Sequence, residues 1–350
     1  MLVRPVLQLA VLFLTALVSS HPLAETSAPK TSKYTIFDSR AMTFGSDPKF
    51  FWINDNELLF VSIRTSPDTL ASAQERLTYA VSRWNIQTSS VTEVKDFGEN
   101  RPDICLNDGF VLYRGTRKDG APEAYHGKLG QSMRQVDGKQ YGFFFCQPRD
   151  KTPKLPDWTE GREIRWLEKL DAGFVDFGDT QKWLENTPIR LYRHNAKQAE
   201  GIQLPFGRRE IEPRFPYYRF KDAFFVESMY PHYPRPKEIS YPVFWLYGDG
   251  RIEKIGEIPW GPWRARASLW IVPTRVGIVL GSHNFRTETD PGYAGLYLQK
   301  SDWVEKILTG WIQGTRVSPD GCKIAFSFAS IVTDKNHVLK AMDLCQEATK

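Results

Sequence analysis

Arg316-Val317-Ser318-Pro319-Asp320-Gly321-Cys322-Lys323-Ile324-Ala325-Phe326 reads as a strand, a tight turn and a second strand. Pro, Asp and Gly suit the turn because one presets its backbone angle and the others tolerate shapes that most residues avoid. The Lys-Ile-Ala-Phe stretch after it has strand composition. Working outward, comparable turns stand at Asn54-Asp55-Asn56, Asn107-Asp108-Gly109, Asp171-Ala172-Gly173, Asp222-Ala223 and Thr274-Arg275-Val276-Gly277. Taken at residues 55, 108, 171, 222, 275 and 320, the intervals are 53, 63, 51, 53 and 45. A second marker runs in phase at Gly45, Gly98, Gly161, Gly207, Gly261 and Gly314, preceded by Phe or Trp in four cases.

Each turn is followed by a short β-rich segment, such as Phe110-Val111-Leu112-Tyr113 or Gly277-Ile278-Val279-Leu280. A repeat of about 50 residues holding four short strands is the pattern of a propeller blade. The expected fold is all-β: a six-bladed β-propeller over residues 34–346, with blades starting near 45, 98, 161, 207, 261 and 314. The last repeat supplies three strands, near 315–318, 323–328 and 337–344. The segment Tyr34–Thr43 is expected to complete it as a fourth strand, closing the ring and removing an open edge.

The Ser318-Pro319-Asp320-Gly321 turn with its following strand resembles the repeat of TolB-like propellers, which are related to WD-type repeats. The resemblance covers the last blade and implies the fold class; it carries no ligand with it.

The N-terminus has a positive Arg4, an apolar run over 6–18 broken by Gln8 and Thr15, and small residues at Ser19 and Ser20. This pattern predicts a signal peptide over 1–20, then a linker over 21–33, and export to the periplasm or the medium. No later run is apolar enough for a membrane span. Four cysteines, Cys105, Cys146, Cys322 and Cys345, form no CxxC, and an even count in an exported chain favours two disulfides. Three pairings are open. Cys322 and Cys345 fall on strands expected to be antiparallel neighbours, which favours that pair, and Cys105 with Cys146 follows by elimination.

With 41% hydrophobic and 25% charged residues the chain is an ordinary globular sequence, and its net charge of +5 permits an anionic partner without requiring one. After each glycine marker comes a cation: Lys49, Arg101, Arg162, Arg208 with Arg209, Arg264 and Arg316. Placed at the start of each innermost strand, they would converge on one mouth of the channel and hold carboxylates or phosphates. Nearby Asp47, Glu99, Asp103 and Glu163 offer the plainer use, ion pairing at the surface. On the same face, Tyr230 and Tyr233 lie in a proline-stiffened loop that suits a sugar or an extended peptide. His232, His283 and His337 fall in loops of successive repeats, a set that can hold one divalent metal. No GxSxG, P-loop, GxGxxG or HExxH occurs. The sequence therefore reads as a monomeric, non-catalytic binding protein without a cofactor, for a protein, peptide or anionic glycan. Its alternative is a lyase or hydrolase on acidic sugars, using the histidines with a metal. Export argues against nucleic acid as a partner.

Overall fold

A computed structural model of the chain describes residues 33–44, 49–65, 77–107, 109–116, 119–129, 131–142, 146–151, 154–167, 173–182, 185–208, 210, 215–227, 241–258, 268–283, 294–301, 303–330 and 337–347. The expected signal peptide and nearly all of the linker lie outside them. Among the described residues regular structure is β throughout, apart from five short 3-10 turns.

In chain order, β1 (Tyr34–Thr43) precedes β2 (Phe50–Asn54), β3 (Glu57–Thr65), β4 (Leu77–Asn85) and β5 (Ser90–Gly98). Next come β6 (Asp103–Asn107), β7 (Phe110–Thr116), β8 (Pro122–Lys128) and β9 (Arg134–Val136), then a small hairpin of β10 (Tyr141–Gly142) and β11 (Gln147–Pro148). The pattern resumes with β12 (Arg162–Trp166), β13 (Phe174–Asp179), β14 (Pro188–Tyr192) and β15 (Ile202–Gly207). It continues with β16 (Tyr217–Tyr218), β17 (Ala223–Glu227), β18 (Tyr241–Leu246) and β19 (Ile252–Ile258). The last strands are β20 (Ser268–Thr274), β21 (Gly277–His283), β22 (Gly295–Lys300), β23 (Trp303–Thr309), β24 (Trp311–Val317), β25 (Lys323–Ala329) and β26 (His337–Glu347).

β6–β9, β12–β15, β16–β19 and β20–β23 are separate four-stranded antiparallel meanders. The remaining strands form one eight-stranded sheet, in which β24, β25, β26 and β1 run in order and β1 also meets β3, with β2 pairing β3 from the side. β1 pairs with β26 along most of its length, from Tyr34↔Glu347 to Thr43↔His337, but touches β3 only at Met42↔Ile63. The recurrent turns of the sequence lie between the first and second strand of each run of four, as at 55–56, 275–276 and 319–320.

Alternate residues of a strand point to opposite faces, and here both faces are buried. Phe224 and Val226 of β17 join a core with Val175, Phe177, Ile189 and Leu191 from β13 and β14. Ala223 and Phe225, one residue out of phase, join a different core with Ile278, Leu280 and Tyr297 from β21 and β22. β25 does the same: Ile324 and Phe326 pack with Val279, Leu296 and Leu298, and Ala325 packs with Phe50, Trp52, Leu58 and Phe60. A further core joins Leu59, Val61 and Val81 to Ile104, Val111 and Tyr113. Strands buried on two sides read as continuous apolar runs rather than alternating ones, which is how Phe110-Val111-Leu112-Tyr113 and its counterparts look.

β24 runs over Trp311–Val317, longer than the expected 315–318. Gly314 lies inside it, at a register shift between Gln313 and Thr315 and with φ of 56°. It is a bulge glycine, free of the Cβ penalty that conformation carries, and it does not mark the strand start.

Disulfides join Cys322 to Cys345 and Cys105 to Cys146, with Cα separations of 5.2 and 5.6 Å. The first ties the residue before β25 to β26. Its partners are 23 residues apart, so loop-closure entropy assigns it about 3 kcal/mol. Replacing both Cys322 and Cys345 with Ala is expected to lower unfolding free energy by about that amount, read from denaturant midpoints under oxidising conditions. A loss no greater in oxidised than in reduced protein would contradict it.

Candidate functional site

Each meander has two ends. The turns joining first to second and third to fourth strands lie at one, here the turn end. The second-to-third loops and the links to the next meander lie at the other, the loop end. The two ends are built differently.

At the turn end, turns from several meanders interlock. The Asp320 amide donates to Asp55 Oδ1 at 2.7 Å, and the Arg275 amide donates to the Gly321 carbonyl at 2.9 Å. The Phe220 ring reaches Gly321 from the β16–β17 turn, so a Cβ at 321 would stand 2.6 Å from Phe220 Cγ. Within the 318–322 turn, Ser318 Oγ accepts from the Lys323 amide at 2.8 Å, and Asp320 Oδ1 accepts from the Cys322 amide at 3.0 Å. Burial works against the Asp320 charge. The Ser318 hydroxyl and the Cys322 amide, with Lys323 and Arg275 nearby, outweigh it and hold the carboxyl below its ordinary value.

At the loop end stand most of the recurrent cations, and acids meet several of them. Arg162, the first residue of β12, donates to Asp176 Oδ2 from Nε at 2.9 Å and from Nη2 at 2.6 Å. Asp176 is 1% exposed and its other oxygen accepts from the Gly178 amide at 2.8 Å. The Asp176 hydrogen bond holds Arg162 above its ordinary pKa. Arg208 reaches Glu163 with one nitrogen and the Asp179 carbonyl, at 2.9 Å, with another. Arg64 bridges Glu93 and Asp96 at 2.8 Å each.

Arg101 is exposed, in the link between β5 and β6, and its guanidinium lies 3.6 Å from the centroid of Phe44, which stacks on Tyr79 at 5.4 Å. Arg316 is also exposed and lies 5.1 Å from the Phe51 centroid. The bulge at Gly314 lengthens β24, so Arg316 sits beside the 318–322 turn rather than at the strand start. Arg101 and Arg162 therefore share the loop end, and Arg316 stands toward the other. Arg209, Arg264, Tyr230, Tyr233 and His232 lie outside the described residues, as does the His283 side chain at the end of β21. His337 opens β26 opposite Thr43 and is 7% exposed, a core position rather than a loop one. Among the described residues no three His, Cys, Asp or Glu side chains cluster in a way that holds a metal, and no helix is long and apolar enough to cross a membrane.

One buried histidine carries no sequence expectation. His126 in β8 is 6% exposed, stacked on Phe110 and set against Tyr141. Register exposes its role: Cys105, Leu112 and His126 are successive partners across β6, β7 and β8. Only that non-local pairing places it on the disulfide's face.

No protein family matches the chain, and no curated protein does. Solved structures similar to it include the β-propeller domain of the Trilobed protease from Pyrococcus furiosus, at 13% identity and a TM-score of 0.31, covering 83% of this chain and 80% of that one. TolB from Acinetobacter baumannii is similar at 11% identity and 0.35, covering 83% and 64%. An acylaminoacyl peptidase from Pyrococcus horikoshii is similar at 12% identity and 0.30, covering 83% and 44%. The chain thus spans less than two thirds of the length of the last two.

Three substitutions check this geometry. Arg162→Ala leaves the Asp176 carboxylate buried without its cation and is expected to cost about 3 kcal/mol of stability. Arg64→Ala, at a side chain 45% exposed, is expected to cost under about 1 kcal/mol. Gly321→Ala is expected to cost about 2 kcal/mol, since residue 321 holds φ of 79° against the Phe220 ring. Denaturant unfolding measures all three, and equal losses for the two arginines would contradict the burial argument.

Proposed function

We propose that this chain is an exported six-bladed β-propeller that binds a protein, peptide or anionic glycan at its loop end, and that it does so without catalysis. In this reading β24–β26 with β1 make the sixth blade, and the ring closes where β1 joins β26. Two disulfides fit an oxidising compartment outside the cytoplasm.

The observation that carries the reading is the contrast between the two ends. The Phe220 ring reaches Gly321, and with the Asp55 and Arg275 contacts this occupies the turn end with the protein's own residues. Access to a central channel then falls to the loop end. There the Arg101–Phe44–Tyr79 stack is the recognition element. Stacking engages the guanidinium's face, while its N–H donors lie around the edge in the same plane. A carboxylate or sulfate meets such an edge through paired, charge-assisted hydrogen bonds. Arg162, Arg208 and Arg64 keep the neighbouring acids neutralised so that they do not repel an anion.

Heparin and a poly-glutamate peptide serve as probes. Arg101→Glu is expected to weaken retention of the bound probe at least about tenfold, the size of one lost charge-assisted contact, and to flatten its salt dependence. Arg316→Glu, at the other end, is expected to leave both unchanged. Unaltered binding by Arg101→Glu, or a wild-type chain that retains neither probe at low salt, overturns the proposal.

A further inference from the structure

One meander face is covered by the chain that leaves the same meander. Leu112 and Ala124 of the β6–β9 sheet, with Cys105, pack against Tyr141 and Cys146 of the segment that follows β9. Elsewhere the large cores are shared between successive meanders. Here the cover is the β10–β11 hairpin, fixed at Cys146 by its bond to Cys105.

His126 lies under that cover. Its ring is parallel to Phe110, with centroids 5.7 Å apart, and Tyr141 of the hairpin closes over it at 4.7 Å. Neither ring nitrogen has a hydrogen-bond partner, although both are buried. The charged groups on the surrounding elements are mostly cations. Arg134 is its cross-strand partner on β9, and Lys128 stands 5.6 Å over the far ring, Phe110. The hairpin's flanks carry Asp137, which accepts from the Lys139 amide, and beyond β11 the mixed run Arg149-Asp150-Lys151. Glu123, on β8, instead accepts from the Tyr125 hydroxyl.

We propose that the β10–β11 hairpin is an acid-released strap. A proton taken from solvent onto His126 drives the ring out from between Phe110 and Tyr141, and the hairpin lifts while it stays tethered through Cys105–Cys146. The reason is the cost of a charge in an apolar sandwich with a cation beside it, which the Cys146 backbone offsets only in part. Burial first, and Arg134 second, hold the imidazole below its ordinary value of 6.5, against a smaller opposing pull from the Cys146 backbone. A lowered folded-state value means that the closed strap is fully favoured above 6.5 and loses stability as pH falls below it. Opening uncovers the Leu112–Ala124 face and leaves the shared cores intact.

Hydrogen exchange at about pH 7.5 and about pH 5, compared at matched intrinsic rates, tests this across the His transition. In the oxidised wild type the amides of 137–142 and 146–151 are expected to exchange at least about tenfold faster at the lower pH. Those of β24–β26 should not change. His126→Phe keeps an aromatic ring in the sandwich and is expected to abolish the pH response. His126→Gln serves if that variant does not fold. Equal protection of the wild-type hairpin at both pH values, or the same acceleration in the variant, overturns the proposal. So does an NMR titration of the His126 ring with its midpoint at or above 6.5.

Discussion

A strand whose two faces feed two different cores ties most of the meanders to their neighbours. Phe224 and Phe225 are adjacent in sequence yet belong to separate cores, and Ala325 and Phe326 divide in the same way. Apart from the β6–β9 face under the β10–β11 hairpin, the sheets bury their apolar surfaces against neighbours, and the fold is stable as a tandem array. The same constraint expels polar chemistry from the strand faces. Charged and hydrogen-bonding side chains collect at strand ends, where the backbone turns and water is near.

The two strand ends use polar residues for opposite purposes. Asp55, Asp320 and Ser318 accept main-chain amides at the turn end, locally and between meanders. Their recurrence is a structural need, because a buried amide without an acceptor is costly. The loop end is built on side-chain ion pairs, and its connections are longer. A strand start that must carry a cation against Asp176 or Glu163 has little freedom, while a link such as the one holding Arg101 is free to vary without touching a core. Diversity of binding is concentrated in such links for that reason.

What was legible in the sequence was what depends on local backbone shape. Asp320-Gly321 and its counterparts fall between first and second strands because a tight turn demands residues that tolerate it. Glycine markers were less faithful: Gly98 ends β5, whereas Gly314 forms a bulge within β24. One residue type answers several backbone problems, and the bulge at Gly314 leaves Arg316 away from the loop end. His337 looks like a loop histidine in sequence. It is buried because β1, some 300 residues earlier, lies against it, with Thr43 opposite. The use of His126 was likewise hidden in a three-strand register. Long-range pairing decides both, and no window of sequence contains it.

The count of basic residues also misleads about field. Arg162, Arg208 and Arg64 each meet a carboxylate directly, and a neutral pair contributes little beyond the Debye length of about 8 Å at physiological salt. Among the described residues these pairs thus add little long-range positive field at the loop end. In the proposed reading what it offers is contact chemistry: a guanidinium oriented by the ring beneath it. Such a surface selects by geometry once a ligand has arrived, and an anionic group fits where it meets the guanidinium edge through paired, charge-assisted hydrogen bonds.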